Sequence, residues 1–243
     1  MTTPVVLLHG FAGTAHHWDR VAGAMPPADV ELRPLELADA DPLTPEGATR
    51  LVALRAPRRF VLAGYSMGGR VALHVALALG GRVSRLVLIS ASAGIEDHAA
   101  RAQRRAADEA LADAIEREGL ERFIERWRAV PLFAGDPAWV GEAVAEDERR
   151  CSPAVLAASL RGLGPGSMTP MWGRLSELRM PVTILAGARD VRYVEEGRRL
   201  AEGIADATLE IIPGAGHRLA IEAPEAVARA VSTDREAPSR PGG

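Results

Sequence analysis

Residues 60–68 read Phe60-Val61-Leu62-Ala63-Gly64-Tyr65-Ser66-Met67-Gly68. Residues 60–63 form an apolar run that predicts a buried strand, and residues 68–79 have the Ala, Val and Leu content of a packed helix. Between them stands the pattern G-x-S-x-G, whose small residues suit a tight turn where a larger side chain would collide with neighbouring backbone. The stretch therefore predicts that Ser66 is exposed on a strained turn at the edge of a sheet.

Strands and helices alternate on both sides of this turn. Further strands are predicted at residues 5–8, 30–37, 85–90, 182–186 and 208–212. Helices are predicted at residues 14–25, from residue 45 with Thr44 as N-cap, at residues 194–203 and from residue 224. Because several strand runs are apolar on both faces, the alternation predicts an α/β fold with a mostly parallel sheet flanked by helices.

The alternation stops at about residue 95, and no convincing strand follows before about residue 175. This stretch has a helical pattern and is rich in charge, so we expect a helical cap inserted over the C-terminal edge of the sheet. The predicted division is a core of residues 1–94 and 176–232 with a cap of residues 95–175. Residues 233–243 are polar with Pro and Gly, and we expect a disordered tail there.

Composition and charge limit the class of protein. The chain has 243 residues, of which 47% are hydrophobic, which suits one domain with a large core. Its net charge of −3 gives no sign of nucleic-acid binding, and no apolar run approaches the roughly 20 residues of a membrane span. A single cysteine, Cys151, cannot form an internal disulfide, and the N-terminus lacks a signal-peptide pattern. We expect a cytoplasmic monomer or homodimer acting on a small molecule.

A serine hydroxyl needs a neighbouring base, and that base needs an orienting group. Asp190 follows the strand predicted at 182–186, and His217 follows the strand predicted at 208–212. Both therefore lie in loops at the C-terminal ends of strands, where α/β sites gather. The alternatives are that Asp190 caps a helix and that His217 is a solvated loop histidine. The chain order serine, acid, histidine favours a catalytic triad of Ser66, Asp190 and His217.

Two more features point to the chemistry of this site. Phe11 follows the first strand, so its backbone N–H could pair with that of Met67 to form an oxyanion hole. Arg70 comes four residues after Ser66 on one helix, where a guanidinium would suit a carboxylate-bearing substrate. The alternative is that Arg70 is a surface arginine on the far side of the helix, and spacing alone does not decide. No cluster has metal-ligand spacing, and we expect neither a metal nor a cofactor.

Most of the chain, from residue 5 to about 231, resembles the α/β-hydrolase-fold superfamily. Residues 64–74 most resemble one branch, the 2-succinyl-6-hydroxy-2,4-cyclohexadiene-1-carboxylate synthases of menaquinone biosynthesis. Supporting stretches are residues 9–13, 123–127, 160–166 and 214–217. The resemblance implies a lyase in which the triad serine abstracts a proton and pyruvate is eliminated.

The resemblance also implies residues that bind a substrate with several carboxylates. Arg70 and Tyr65 match binding positions, Trp127 matches a pocket tryptophan, and Arg104 and Arg150 match arginines of the cap, with Arg149 as the neighbour that could take the place of Arg150. Two other functions stay open. One is a serine hydrolase acting on small carboxylic esters or on C–C bonds. The other is a ligand-sensing protein that turns over little or nothing.

Overall fold

The computed structural model of the chain describes residues 2–25 and 30–232. Its sheet has six parallel strands in the order β2-β1-β3-β4-β5-β6. The strands are β1 (Thr3–Leu8), β2 (Val30–Leu35), β3 (Phe60–Tyr65), β4 (Val83–Ile89), β5 (Val182–Gly187) and β6 (Ala207–Ile212). The predicted α/β fold with a sheet flanked by helices is thus confirmed.

The α-helices of the described residues are α1 (Asp19–Gly23), α2 (Pro45–Arg55), α3 (Met67–Leu79), α4 (His98–Glu118), α5 (Leu120–Arg128), α6 (Ala138–Arg150), α7 (Pro153–Leu163), α8 (Val191–Gly203), α9 (Leu219–Glu222) and α10 (Pro224–Ser232). Short 3₁₀ helices cover Ala15–Trp18, Leu37–Asp39, Gly80–Arg82, Pro131–Phe133 and Trp172–Glu177. The hydroxyl of Thr44 accepts a hydrogen bond from the N–H of Gly47, so the predicted N-cap of α2 is confirmed.

Two predicted elements differ from the structure. Residues 14–25 form a 3₁₀ helix followed by the short α1 rather than one continuous helix. The strand predicted at 30–37 ends at Leu35, and the chain then turns into the 3₁₀ helix Leu37–Asp39. In both places apolar spacing located the buried side chains, such as Trp18 and Leu37, but left the local backbone geometry open.

Alternate side chains of each central strand enter separate hydrophobic clusters on the two faces of the sheet. Val6 and Leu8 of β1 pack in one cluster with residues of α2 and α3. Val5 and Leu7 pack in the other with residues of α10. This double coverage is why the strands read as continuous apolar runs rather than alternating ones.

Helices α4 to α7 occupy the chain between β4 and β5, and the described residues there include no strand. Apolar side chains of α4, α5 and α7 form a cluster of their own, which also takes in Ala12 and the side of Phe11 from the loop after β1. We retain as a proposal that residues 95–175 are a cap on a core of residues 1–94 and 176–232. The tail predicted at 233–243 lies outside the described residues. None of the helices described has the length and apolar character to cross a membrane.

Candidate active site

Ser66 lies between β3 and α3 with a backbone φ of 51° and ψ of −109°. A positive φ is strained for a serine. The turn is held by a 2.9 Å hydrogen bond from the Ser66 N–H to the Ile89 carbonyl. A Cβ on Gly68 would lie 2.2 Å from the carbonyl oxygen of Leu8, so only glycine fits there. The small residues of G-x-S-x-G are thus required by backbone passing close behind the serine.

Three side chains from three loops meet at this turn. Oγ of Ser66 lies 3.0 Å from Nε2 of His217, and Nδ1 of His217 lies 2.6 Å from Oδ2 of Asp190. The His217 and Asp190 side chains are buried. These distances are those of a serine–histidine–acid relay, in which the imidazole takes a proton from the hydroxyl and the carboxylate holds the imidazole in position.

The loops that carry Asp190 and His217 are packed directly against each other. The Arg189 N–H donates to the Ala215 carbonyl at 2.9 Å. A Cβ on Gly187 would come within 2.1 Å of the Gly216 carbonyl oxygen, so a glycine is needed where the two loops cross. The neighbouring ends of β5 and β6 therefore fix the acid beside the histidine.

Asp190 makes both of the contacts that the sequence left as alternatives, the helix cap and the contact with His217. Its Oδ1 accepts a 3.4 Å hydrogen bond from the Tyr193 N–H, which caps α8, while Oδ2 faces His217. The cap bond holds the carboxylate in the rotamer that reaches the imidazole. The ring of Tyr193 lies 4.5 Å from that of His217. Sequence reasoning did not find Tyr193, although its place three residues after a capping aspartate was a usable signal.

A cavity of about 500 Å³ opens over Ser66, between the C-terminal ends of the strands and the inserted helices. Of the residues predicted as catalytic or substrate-binding, it is lined by Tyr65, Ser66, Arg70, Arg104, Trp127 and His217. Much of its remaining wall is apolar, with contributions from Leu111, Leu132, Phe133, Leu160 and Leu163. The space thus combines an apolar wall suited to a small ring with cationic groups.

Arg70 is one helical turn beyond Ser66 and is buried, with 8% of its surface exposed. The structure excludes the alternative of a surface arginine on the far side of the helix. Its Nε has no hydrogen-bond partner among the described residues. Burial lowers the pKa of the Arg70 guanidinium, although an arginine stays charged. A buried cation that lines a cavity and has no carboxylate partner from the described residues is suited to binding an anionic ligand.

Arg104 reaches the same cavity from α4. Its Nε donates to Oδ1 of Asp108 at 2.8 Å, and the Asp108 carboxylate is itself buried. This pair fixes the direction of the Arg104 guanidinium, which leaves its other N–H groups for a ligand. Trp127 lines the cavity within an aromatic group, with its ring centroid 5.1 Å from that of Phe11 and 5.3 Å from that of Phe133.

Arg150 does not line this cavity. Its Nη2 lies 2.5 Å from Oε1 of Glu146, and the side chain borders a separate surface pocket near His16. The expectation that Arg150 binds substrate is therefore not carried further, because the last turn of α6 directs this side chain elsewhere. Arg149, the alternative at this end of the helix, is exposed and is not among the lining residues of the main cavity.

Phe11 and Met67, whose N–H groups were predicted to form an oxyanion hole, both border the cavity beside Ser66. Met67 is the first residue of α3, so its N–H is one of the free donors of a helix N-terminus. The loop of Phe11 is tied down by Glu36, whose Oε1 lies 2.9 Å from Nε2 of His9 and whose Oε2 accepts from the Ala15 N–H at 3.1 Å. No sequence pattern indicated this use of Glu36.

His17 packs against Tyr65, the residue before Ser66. Its ring stacks on that of Tyr65 at 4.7 Å, and its Nε2 has no hydrogen-bond partner among the described residues. Burial, followed by the nearby positive charge of other side chains, lowers the pKa of His17 to about 3. The His17 imidazole is therefore neutral at physiological pH.

Within residues 2–25 and 30–232, no group of three or more His, Cys, Asp or Glu side chains is placed to hold a metal ion.

Comparison with known proteins places this geometry in a family. The alpha/beta hydrolase family matches residues 5–230. A Bacillus subtilis (strain 168) protein, provisionally named 2-succinyl-6-hydroxy-2,4-cyclohexadiene-1-carboxylate synthase, is 33% identical over 94% of this chain and 88% of its own length. The synthase of that name from Klebsiella pneumoniae subsp. pneumoniae is 30% identical over 92% of this chain and 90% of its own.

Solved structures give the same answer. The structure of MenH from S. aureus superposes with a TM-score of 0.88 at 27% identity, covering 95% of this chain and 92% of the other. The resemblance inferred from residues 64–74 is thus confirmed, and it extends over nearly the whole chain.

Proposed function

The chain belongs to the alpha/beta hydrolase family, and on that premise we propose that it is a 2-succinyl-6-hydroxy-2,4-cyclohexadiene-1-carboxylate synthase, a lyase of menaquinone biosynthesis. The relatives with this name match 94% and 92% of the chain. The reaction eliminates pyruvate from a succinyl-enolpyruvyl-cyclohexene carboxylate. The site therefore has to remove a proton from carbon and bind several carboxylates.

The triad supplies the base. His217 Nε2 takes the Ser66 hydroxyl proton as Oγ removes a proton from the ring carbon beside the succinyl carbonyl, and Asp190 stabilises the imidazolium. The electrons of the broken C–H bond move through the ring to form the second double bond of the product diene. The C–O bond to the enolpyruvyl group breaks, and the released enolpyruvate takes up a proton to become pyruvate. Ser66 is not acylated at any step.

The oxyanion donors act on the carbonyl next to the reacting carbon. Negative charge grows on the succinyl carbonyl oxygen as the proton leaves, and the N–H groups of Phe11 and Met67 are the donors proposed to receive it. The N-terminal end of α3 adds its positive partial charge at the same point. The hydrolytic members of the fold use such donors for a tetrahedral intermediate, so the same machinery serves an enolate here.

One observation carries the proposal: Arg70 lines the same cavity as Ser66. Arg70 is a buried cation, and it has no carboxylate partner among the described residues. An esterase for neutral acyl groups has no use for a desolvated guanidinium one turn from its nucleophile. A substrate carboxylate gives that guanidinium its counter-charge. Arg104 supplies a second cation, and the apolar wall with Trp127 suits the cyclohexene ring.

The decisive experiment supplies purified protein with the succinyl-enolpyruvyl precursor and follows pyruvate through a coupled reduction to lactate. We expect stoichiometric pyruvate together with the absorbance of the cyclohexadiene. Ser66→Ala should lower the rate by a factor on the order of 10³ or more. Ser84→Ala, the same chemical change on β4 away from the cavity, is the matched control. Rapid hydrolysis of short acyl nitrophenyl esters without pyruvate release would support the serine hydrolase instead.

The setting of the enzyme belongs to the same proposal. We place the enzyme in the cytoplasm, as a monomer or a homodimer. It acts on a small, carboxylate-bearing substrate. A single cysteine in the whole chain is in keeping with a reducing compartment. A binding protein without turnover is the remaining alternative, and a phenotype that survives Ser66→Ala would favour it.

A further inference from the structure

The cavity contains more arginine than the predicted binding set. Four arginines line it: Arg70, Arg104, Arg192 and Arg199. Arg104 is paired with Asp108 at 2.8 Å, and Arg199 is paired with Glu96 at 2.6 Å. Arg70 and Arg192 are the members of this set for which the described part of the chain provides no ion pair.

The substrate of the proposed reaction has a carboxylate on the ring, one on the succinyl arm and one on the enolpyruvyl group. Arg70 and Arg104 account for two of these. Arg150 was the third arginine expected from the sequence, but it lies outside the cavity. A third cation is therefore needed, and Arg192 is the cavity arginine that is still free to provide it.

Arg192 is placed beside the catalytic histidine. It lies on α8, two residues after Asp190, and its Cζ is 5.8 Å from the ring centroid of Tyr193. Its side chain borders both the main cavity and a second cleft of about 320 Å³. His217 borders the same two spaces. Arg192, whose side chain is exposed to solvent, and His217 thus both lie where the main cavity and this cleft adjoin.

The positive charge of Arg192 acts on other charged groups of the cavity. Burial is the main cause that lowers the pKa of Arg70, and the positive charges of Arg104 and Arg192 also lower it. The charges of Arg104 and Arg192 are therefore felt at the Arg70 guanidinium. The charge of Arg192 also acts on the carboxylate of Glu196. However, the ion pair of Glu196 is with Arg199, at 3.8 Å. Arg192 therefore keeps its hydrogen-bond donors for a ligand.

We propose that Arg192 binds the carboxylate of the enolpyruvyl leaving group and holds it at the His217 side of the cavity. The inference rests on the proposed function. The imidazolium that forms when His217 takes the proton attracts the departing enolate to that side. The cleft lined by Pro131, Gly135 and Asp136 shares Arg192 and His217 with the main cavity, so it offers the small carboxylate an exit that does not pass the ring product.

The test compares inhibition by two small carboxylates that resemble the enolpyruvyl group and the succinyl arm of the substrate. Pyruvate and succinate are measured as inhibitors of precursor turnover for the wild type, Arg192→Ala and Arg192→Lys. The matched control is Arg198→Ala, an exposed arginine on the same helix that is paired with Glu195 at 3.2 Å. We expect Arg192→Ala to raise the inhibition constant of pyruvate about tenfold, as for a lost charge-assisted hydrogen bond. The inhibition constant of succinate should stay within about twofold, and Arg192→Lys should recover part of the pyruvate effect.

Two results would overturn the assignment. The first is an unchanged pyruvate constant in Arg192→Ala. The second is an equal rise for pyruvate and succinate, which would mean that Arg192 only contributes to the general field. Thermal unfolding of each variant shows whether the fold is intact, and Arg192→Gln replaces the alanine variant if it is not. A wild type that releases no pyruvate from the precursor would instead refute the proposed function, so the two failures are distinguishable.

Discussion

The backbone N–H of Arg70 donates to the carbonyl of Ser66 at 3.2 Å, so the proposed catalytic serine and the buried guanidinium share the first turn of one helix. The relation is rigid because α3 is packed on both β3 and β4. A carboxylate bound at Arg70 is thereby held at a fixed distance from Oγ of Ser66. Positioning of this kind is a main source of rate enhancement, since the reacting atoms are already aligned.

Arg70→Met should separate activity from stability. Loss of the charge should lower kcat/KM by about 2–4 kcal/mol of transition-state stabilisation, roughly 30- to 900-fold. The free energy of unfolding should rise by about 1 kcal/mol, because a buried cation without a partner is replaced by an apolar side chain. Steady-state kinetics and urea unfolding measure the two effects. Arg58→Met, at an exposed position, should change neither. A loss of stability in Arg70→Met would contradict the view that the charge is uncompensated.

Arg218 joins the histidine loop to the inserted helices. Its Nε lies 3.2 Å from Oδ2 of Asp136, its Nη1 lies 3.5 Å from Oε1 of Glu148, and its Cζ lies 4.0 Å from the ring centroid of Phe133. Arg218→Ala should lower the free energy of unfolding by about 3 kcal/mol, because the buried Glu148 carboxylate and the partly buried Asp136 carboxylate lose a partner. It should also lower kcat, since Phe133 packs beside His217.

The control for Arg218 is an ion pair in water. Arg174 and Glu177 are both exposed and lie 2.7 Å apart. Arg174→Ala should leave the free energy of unfolding essentially unchanged, because water already solvates both charged groups. Equal losses for Arg174→Ala and Arg218→Ala in urea unfolding would show that burial adds nothing to the Arg218 contacts.

Local signals were enough to predict the turn and the residues that meet there. The strand before Ser66, the glycines around it and the helix after it are all short-range patterns, and strand ends predict where Asp190 and His217 lie. Asp190 also shows why two interpretations of one residue need not compete, because the helix cap and the contact with His217 use different carboxylate oxygens.

The rest depended on tertiary placement. The spacing of Arg70 fixed its turn of the helix but not whether that face met a cavity or solvent. Arg150 and Arg104 are both arginines of the inserted helices, and only the packing of α4 and α6 directs one into the cavity and the other away. Arg192 had no motif at all, because its significance comes from the loop of Asp190 and the cleft beyond.

The close approach behind Ser66 makes a prediction about glycines. Gly68→Ala should lower the free energy of unfolding by about 3 kcal/mol, because the new Cβ meets the Leu8 carbonyl at 2.2 Å and backbone has to move. Gly141→Ala should raise it by about 0.5–1 kcal/mol, since Gly141 lies inside α6 with open space around it. Urea unfolding of both variants measures the contrast. A harmless Gly68→Ala would mean that the turn relaxes easily.

His17 should make the fold sensitive to acid. Its pKa is lowered from 6.5 to about 3, so the unfolded chain takes up a proton at a higher pH than the folded chain. This contribution to stability is complete above about pH 6.5 and is lost as the pH falls toward 3. His17→Phe keeps a ring against Tyr65 and removes the titration. The stability of this variant relative to wild type should therefore increase by about 2 kcal/mol between pH 7 and pH 5. Urea unfolding across that range measures the difference. A difference that does not vary with pH would mean that His17 is hydrated and titrates normally in the folded protein.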